Sequence, residues 1–164
     1  MTSDKDDTTR RHALQLAAGV AAVAALSKEA AAAPNVAGVW KLVGGSMTDP
    51  GGKSVGVPYG PRGMGLVSLT SDGRMMAVLI DGRAKLPDGA KREYSSYCGN
   101  YTFDGSTLIT TVDASSDPAR LASQQVRKVR FEGERMILVP PERDDGGVKI
   151  HRELIWERIS TVSL

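Results

Sequence analysis

The sequence is short of the residues that most often carry chemistry. It holds one cysteine, Cys98, and two histidines, His12 and His151. That excludes an intrachain disulfide and a cysteine-built metal site, and it leaves a zinc centre or a Ser-His-Asp triad without the imidazoles both lean on. No metal and no cofactor is expected. Cys98 reads as a small, half-buried strand residue. Aromatic residues make up only 5%, and the basic residues alternate with acids to a formal charge of +2, so the electrostatic footprint of a nucleic-acid partner is missing. No apolar run is long enough to span a bilayer, since Ala13 to Leu26 falls short of the roughly 20 residues a spanning helix needs.

What the chain has in quantity is turns. With 18 Gly and 8 Pro in 164 residues, many short elements are favoured over long packed helices, and the length suits one domain with one core. Residues 1–33 read as a removable export signal, which leaves a domain at 34–164 outside the cytoplasm, in the periplasm or beyond. Asp4, Asp6 and Asp7 precede Thr9-Arg10-Arg11-His12-Ala13-Leu14-Gln15, then comes the weakly apolar run, then the small residues Ala30 to Ala33. The paired arginines resemble the twin-arginine export signal, although that signal usually has a bulky apolar residue in place of Ala13 and often lysine in place of Gln15. Cleavage after Ala32 is preferred to cleavage after Ala33, because Pro34 is a poor first residue. An Ala-rich helix packed on the domain is the structural alternative. The segment carries Lys5, Arg10, Arg11 and Lys28 against Asp4, Asp6, Asp7 and Glu29, so its removal leaves the charge at +2.

Beyond it, apolar residues recur with period two. Strands are predicted at Val36–Met47, Met64–Leu69, Arg74–Asp81, Tyr97–Phe103, Thr107–Ser115, Gln124–Glu132, Arg135–Val139 and Val148–Ile159. Ser71-Asp72-Gly73, Asp104-Gly105-Ser106 and Gly133-Glu134 supply hairpin turns. Val55–Arg62 is a long shaped loop, and 82–95 a polar loop over one end with one helical turn near Lys91. Ser116 or Asp117 caps a one-turn helix that has Pro118 just inside. Eight such strands predict an all-β, up-and-down antiparallel barrel with room for one small ligand; an open two-sheet sandwich is the rival. The strand Arg74–Asp81 is apolar on both faces, with Met75, Ala77 and Leu79 alternating with Met76, Val78 and Ile80, so a monomer and a homodimer both remain open.

Seven motifs in order then suggest a family: Gly38-Val39-Trp40-Lys41-Leu42-Val43, Tyr59-Gly60-Pro61-Arg62-Gly63, Thr70-Ser71-Asp72-Gly73-Arg74-Met75, Tyr97-Cys98-Gly99-Asn100-Tyr101, Ser116-Asp117-Pro118, Gln125-Val126-Arg127 and Leu154-Ile155-Trp156-Glu157-Arg158. Over residues 36–159 the chain resembles the bacterial and fungal lipocalin-like domain family. The resemblance implies a compact barrel with a Gly-x-Trp opening strand and an interior pocket. It also implies that Trp40 packs against Arg158 from the last strand and closes the base, a structural pair worth about 0.5–2 kcal/mol. The sequence departs from many relatives in the shorter stretch 82–95, which often holds a helical insert, and in Thr110 and Thr111, where histidine is often found. Those departures weigh against histidine-dependent chemistry.

The alternation places Gln125, Arg127, Val129 and Phe131 on the inward face of their strand and Ile150, Arg152, Leu154, Trp156 and Arg158 on that of theirs. The interior inventory is Tyr97, Tyr101, Gln125, Arg127, Arg152 and Asp113, with apolar walls from Met75, Leu79, Phe103, Leu108, Val129, Phe131 and Leu154. The methionines Met64, Met75 and Met76 read as core filling. A greasy pocket with a few hydrogen-bonding groups binds small molecules, here a hydrophobic one with a carbonyl or anionic end meeting Arg127. The structural alternative for Arg127 is a salt bridge to Asp113 or Glu153. The enzymatic alternative is a cofactor-independent isomerase or cyclase, with Tyr97, Tyr101 or Asp113 as acid or base and Arg127 holding oxyanion charge. A barrel filled by its own side chains would be purely structural.

Overall fold

The computed structural model describes residues 35–161; the export segment read at 1–33 lies outside the described residues. Ten strands follow one another as β1 Gly38–Thr48, β2 Ser54–Gly56, β3 Gly63–Leu69, β4 Arg74–Asp81, β5 Tyr94–Phe103, β6 Thr107–Ser115, β7 Gln124–Glu132, β8 Arg135–Val139, β9 Arg143–Asp145 and β10 Val148–Ser160. Eight of them pair antiparallel in sequence order, and β1 pairs with β10 from Val39↔Ser160 to Thr48↔His151. The barrel is closed, which removes the sheet edges that an open sandwich would leave.

The two extra strands are short flaps in stretches expected to be loops. β2 folds back on the end of β1 because Asp49 accepts bonds from the Gly51 and Lys53 amides at 3.0 and 2.9 Å and so builds a tight turn. β9 pairs with the start of β10, its turn closed by Gly147 N–H on Asp144 at 2.7 Å. The helical turn expected near Lys91 does not form. Ala90 N–H bonds Pro87 O, and Gly89 takes φ +77°, which ends any helical run; Tyr94 and Ser95 join β5 instead. At Pro118–Arg120 the expected cap is present as a 3₁₀ turn, with Asp117 accepting from Ala119 N–H.

Alternation along the strands builds the interior. Val67, Leu69, Met75, Ala77, Leu79, Leu108, Thr110, Val112, Leu154 and Trp156 are buried. Met64 and Met76 are not core filling: they lie 54% and 58% exposed on the outer face beside Leu66 and Val78, because Val67, Leu69 and Met75 hold the inward parity of β3 and β4. β5 and β6 carry a bulge between Cys98 and Gly99. A Cβ on Gly99 would stand 1.9 Å from the Thr111 carbonyl oxygen, so only glycine permits this approach. Across the bulge Cys98 opposes Ala114 and Gly99 opposes Val112, which leaves Asp113 unopposed.

The short hairpin turns after β3, β5 and β7 gather at one end, the base, with the start of β1 and the end of β10. Trp40 is 1% exposed there and donates from Nε1 to Val36 O at 2.9 Å; Arg158 Cζ lies 4.2 Å from its ring centroid. The Arg158 guanidinium also donates to the carbonyls of Asn35 and Ala37. Phe131 packs tilted on Trp40 at 6.2 Å. Long connections crowd the other end, the mouth.

Candidate functional site

Toward the mouth a cavity of about 70 Å³ is enclosed by residues from loops and strands together. Val67, Met75, Ala77, Leu79, Leu138 and Leu154 form its apolar side; Tyr59, Ser95, Tyr97, Arg120, Arg127, Arg152 and Trp156 bring polar atoms. The polar lining is rich in donors. Three guanidiniums surround a space whose described lining contains no carboxylate and no imidazole.

These cations are unevenly satisfied. Arg120 donates from Nη1 to Ser95 Oγ at 2.8 Å, approaches Asp117 at 3.7 Å and stacks 5.7 Å from the Tyr97 ring centroid. Arg152 donates from Nη2 to Glu93 at 3.2 Å, while its Nε is buried with no acceptor among the described residues. Arg127 bonds only to its own neighbourhood, the Val126 carbonyl at 2.7 Å and Gln125 Oε1 at 3.4 Å. It has no ion-pair partner among the described residues: Glu153 is taken by Arg130 at 2.7 Å and Asp113 by Arg74 at 2.5 Å. A second buried donor, Trp156 Nε1, also lacks an acceptor. Buried N–H groups without partners are uncommon and costly in folded proteins.

Tyr59 closes the mouth side. Its backbone sits at φ +62°, a conformation that a bulky side chain rarely takes, and its amide donates to Glu93 Oε2 at 2.8 Å. Burial pushes the phenol above its ordinary value, against the opposing pull of the Ser95 hydroxyl and the Arg152 charge. It is therefore a neutral hydroxyl near neutral pH, able to donate to an acceptor.

Of the residues singled out in the sequence, Tyr97, Arg127, Arg152, Met75 and Leu79 line this cavity. Gln125 faces inward next to it, braced by Ser123 at 3.0 Å, and orients Arg127. Tyr101, Phe103 and Phe131 pack against the core at the base instead. The Tyr101 hydroxyl donates to the Thr70 carbonyl at 2.8 Å, and burial raises its pKa. Asp113 is a correction. Leu108, Thr110 and Val112 hold the inward parity of β6, so Asp113 points out of the barrel, half exposed, where the Arg74 guanidinium holds its carboxyl below the ordinary range. Tyr59, Ser95, Arg120 and Trp156 were not anticipated as lining. Trp156 shares the inward parity of Arg152, so periodicity held that signal; the others arrive from a loop, a strand extension and a 3₁₀ turn, where no period points inward.

The larger recess on the surface is different in kind. About 660 Å³ of open groove runs over the outer face of β1, β3 and β4 among Val39, Leu66, Met76, Val78 and Ile80. It is nearly all apolar, with no convergence of donors.

A family model described as a lipocalin-like domain matches residues 37–159. The chain belongs to the lipocalin-like domain family. Comparison with curated proteins finds no significant match. As a lipocalin-like barrel the domain is a small-molecule-binding scaffold, and its donor-lined mouth is where this member has put its polar groups. Among the described residues no helix is long and apolar enough to cross a membrane.

Proposed function

We propose that this lipocalin-like protein carries or sequesters a small hydrophobic molecule whose carbonyl or anionic end is held at the mouth by Arg127 and Arg152, with Arg120, Tyr59 and Tyr97 around it. One observation carries the reading: Arg152 Nε and Trp156 Nε1 are both buried without an acceptor and belong to side chains lining one cavity. A ligand oxygen that reaches these atoms once the mouth loops move supplies what the fold leaves unmade. The apolar walls suit the rest of the molecule. At about 70 Å³ the cavity is below the roughly 300 Å³ at which ordinary ligand pockets begin, so a ligand of drug size enters by displacing the loops at the mouth. With residues 1–33 acting as an export signal, the protein would do this outside the cytoplasm.

The isomerase or cyclase alternative retains its electrophilic half, the guanidiniums and the protonated Tyr59, which suit developing oxyanion charge. Its carboxylate base, Asp113, is outside the barrel. Binding is therefore the conclusion. Solvent extraction of the purified domain, followed by mass spectrometry, should release a molecule bearing a carbonyl or carboxylate, and Arg127→Ala should lose it while Arg158→Met keeps it. Equal retention by both variants would place the ligand elsewhere.

A further inference from the structure

Glu93 stands where two features of the mouth meet. Its Oε1 accepts from Arg152 at 3.2 Å, and its Oε2 accepts from the amide of Tyr59 at 2.8 Å. The two sides of the ion pair are unequal: the Glu93 side chain is 47% exposed, that of Arg152 only 18%. The carboxylate can leave for water at little cost, whereas the guanidinium cannot follow it and keeps a buried Nε without an acceptor. The same carboxylate helps to hold Tyr59 at φ +62° with its side chain against the cavity. A backbone in that conformation persists only while its surroundings impose it.

A second acid at the mouth behaves differently. Asp81 is 2% exposed and is bound by the backbone amide and the guanidinium of Arg83. It has no water to retreat to and no orphan donor opposite, so it fastens the loop. Glu93 is the exchangeable acid of the two.

We propose that Glu93 is a built-in competitor for the ligand: it occupies Arg152 in the empty barrel, and an incoming monocarboxylate takes its place. Leaving Arg152, Glu93 also gives up the Tyr59 amide, and the freed loop makes room for the apolar part of the ligand. One exchange thus couples recognition of the acid to opening of a cavity too small to receive it closed. The inference rests on the binding function proposed above and narrows the ligand to a hydrophobic carboxylic acid. Self-competition lowers apparent affinity by the fraction of molecules in which Arg152 is already occupied, so removing the competitor should raise it.

Calorimetric titration with octanoate and with octan-1-ol tests this on the wild-type domain, Glu93→Gln and Arg152→Gln, with thermal unfolding to verify that each is folded. Octanoate should bind Glu93→Gln on the order of tenfold more tightly than wild type, octan-1-ol should bind both alike, and Arg152→Gln should lose the preference for the acid. Glu93→Ala, which removes both acceptor oxygens, should tighten octanoate as well. If octanoate binds wild type and neither Glu93 variant improves on it, the exchange is overturned while ligand binding stands. If octan-1-ol binds and octanoate does not bind any variant, the acid as ligand is overturned; if neither probe binds any of them, the binding function falls with it.

Discussion

The barrel has an arginine from its last strand at each end, and the two live in opposite circumstances. At the base Arg158 lies over Trp40 and donates to the carbonyls of Asn35 and Ala37. At the mouth Arg152 has one bond to a half-exposed acid and a buried Nε without an acceptor. Six residues apart on one strand, both face inward. Parity therefore does not distinguish an arginine whose donors are satisfied from one with an orphaned donor; the count of partners does.

The contrast is sharpest in what each end should lose on mutation. Trp40→Ala removes the largest fully buried side chain of the base and should cost about 3–5 kcal/mol in urea unfolding; a loss below about 1 kcal/mol would mean that the base does not hold the barrel shut. Arg158→Met keeps the stem over the indole but strands two carbonyls, and should cost about 1–3 kcal/mol with ligand affinity unchanged. Arg152→Gln should reverse that pattern, weakening a carboxylate probe by about tenfold, or roughly 1.4 kcal/mol, with unfolding within about 1 kcal/mol of wild type. A fall in stability as large as that of Trp40→Ala would make Arg152 a structural residue and erase the distinction between the ends.

The outer wall supplies the smallest effect. The Arg130 guanidinium holds the Glu153 carboxyl below its ordinary range. This pair contributes stability above the unfolded carboxylate value of about 4.3 and loses it as pH falls through the lower folded value. With Arg130 44% exposed, the contribution should stay under about 1 kcal/mol. Glu153→Gln should lower the neutral region of a melting-temperature profile by that amount and leave its acid end unchanged, so the acid limb flattens, with binding nearly untouched.

Much of this was legible in the chain. Alternation assigned Arg127, Arg152, Leu154, Trp156 and Arg158 to the interior, and Asp-Gly and Pro-Asp-Gly placed turns where they occur. Asp117 and Pro118 marked the 3₁₀ turn. Each depends on a few neighbouring residues. The bulge in β6 shows the limit: the close approach of Gly99 to the Thr111 carbonyl that sets it joins two strands, whereas Asp113 lies outside by the alternation of Leu108, Thr110 and Val112 alone. Arg127 shows it too, since the acids that could have paired with it were claimed by Arg74 and Arg130.

The sequence by itself determined an all-β chain, its turns and the inward parity of the arginines on β7 and β10, because a strand's period is written in consecutive residues. Only the tertiary structure decided which arginine ends satisfied and which does not. Closing the barrel brings Glu93, Tyr59 and Arg120 from separate connections onto Arg152 and Arg127, and the bonds left over after that meeting depend on distances across the chain that no local pattern records.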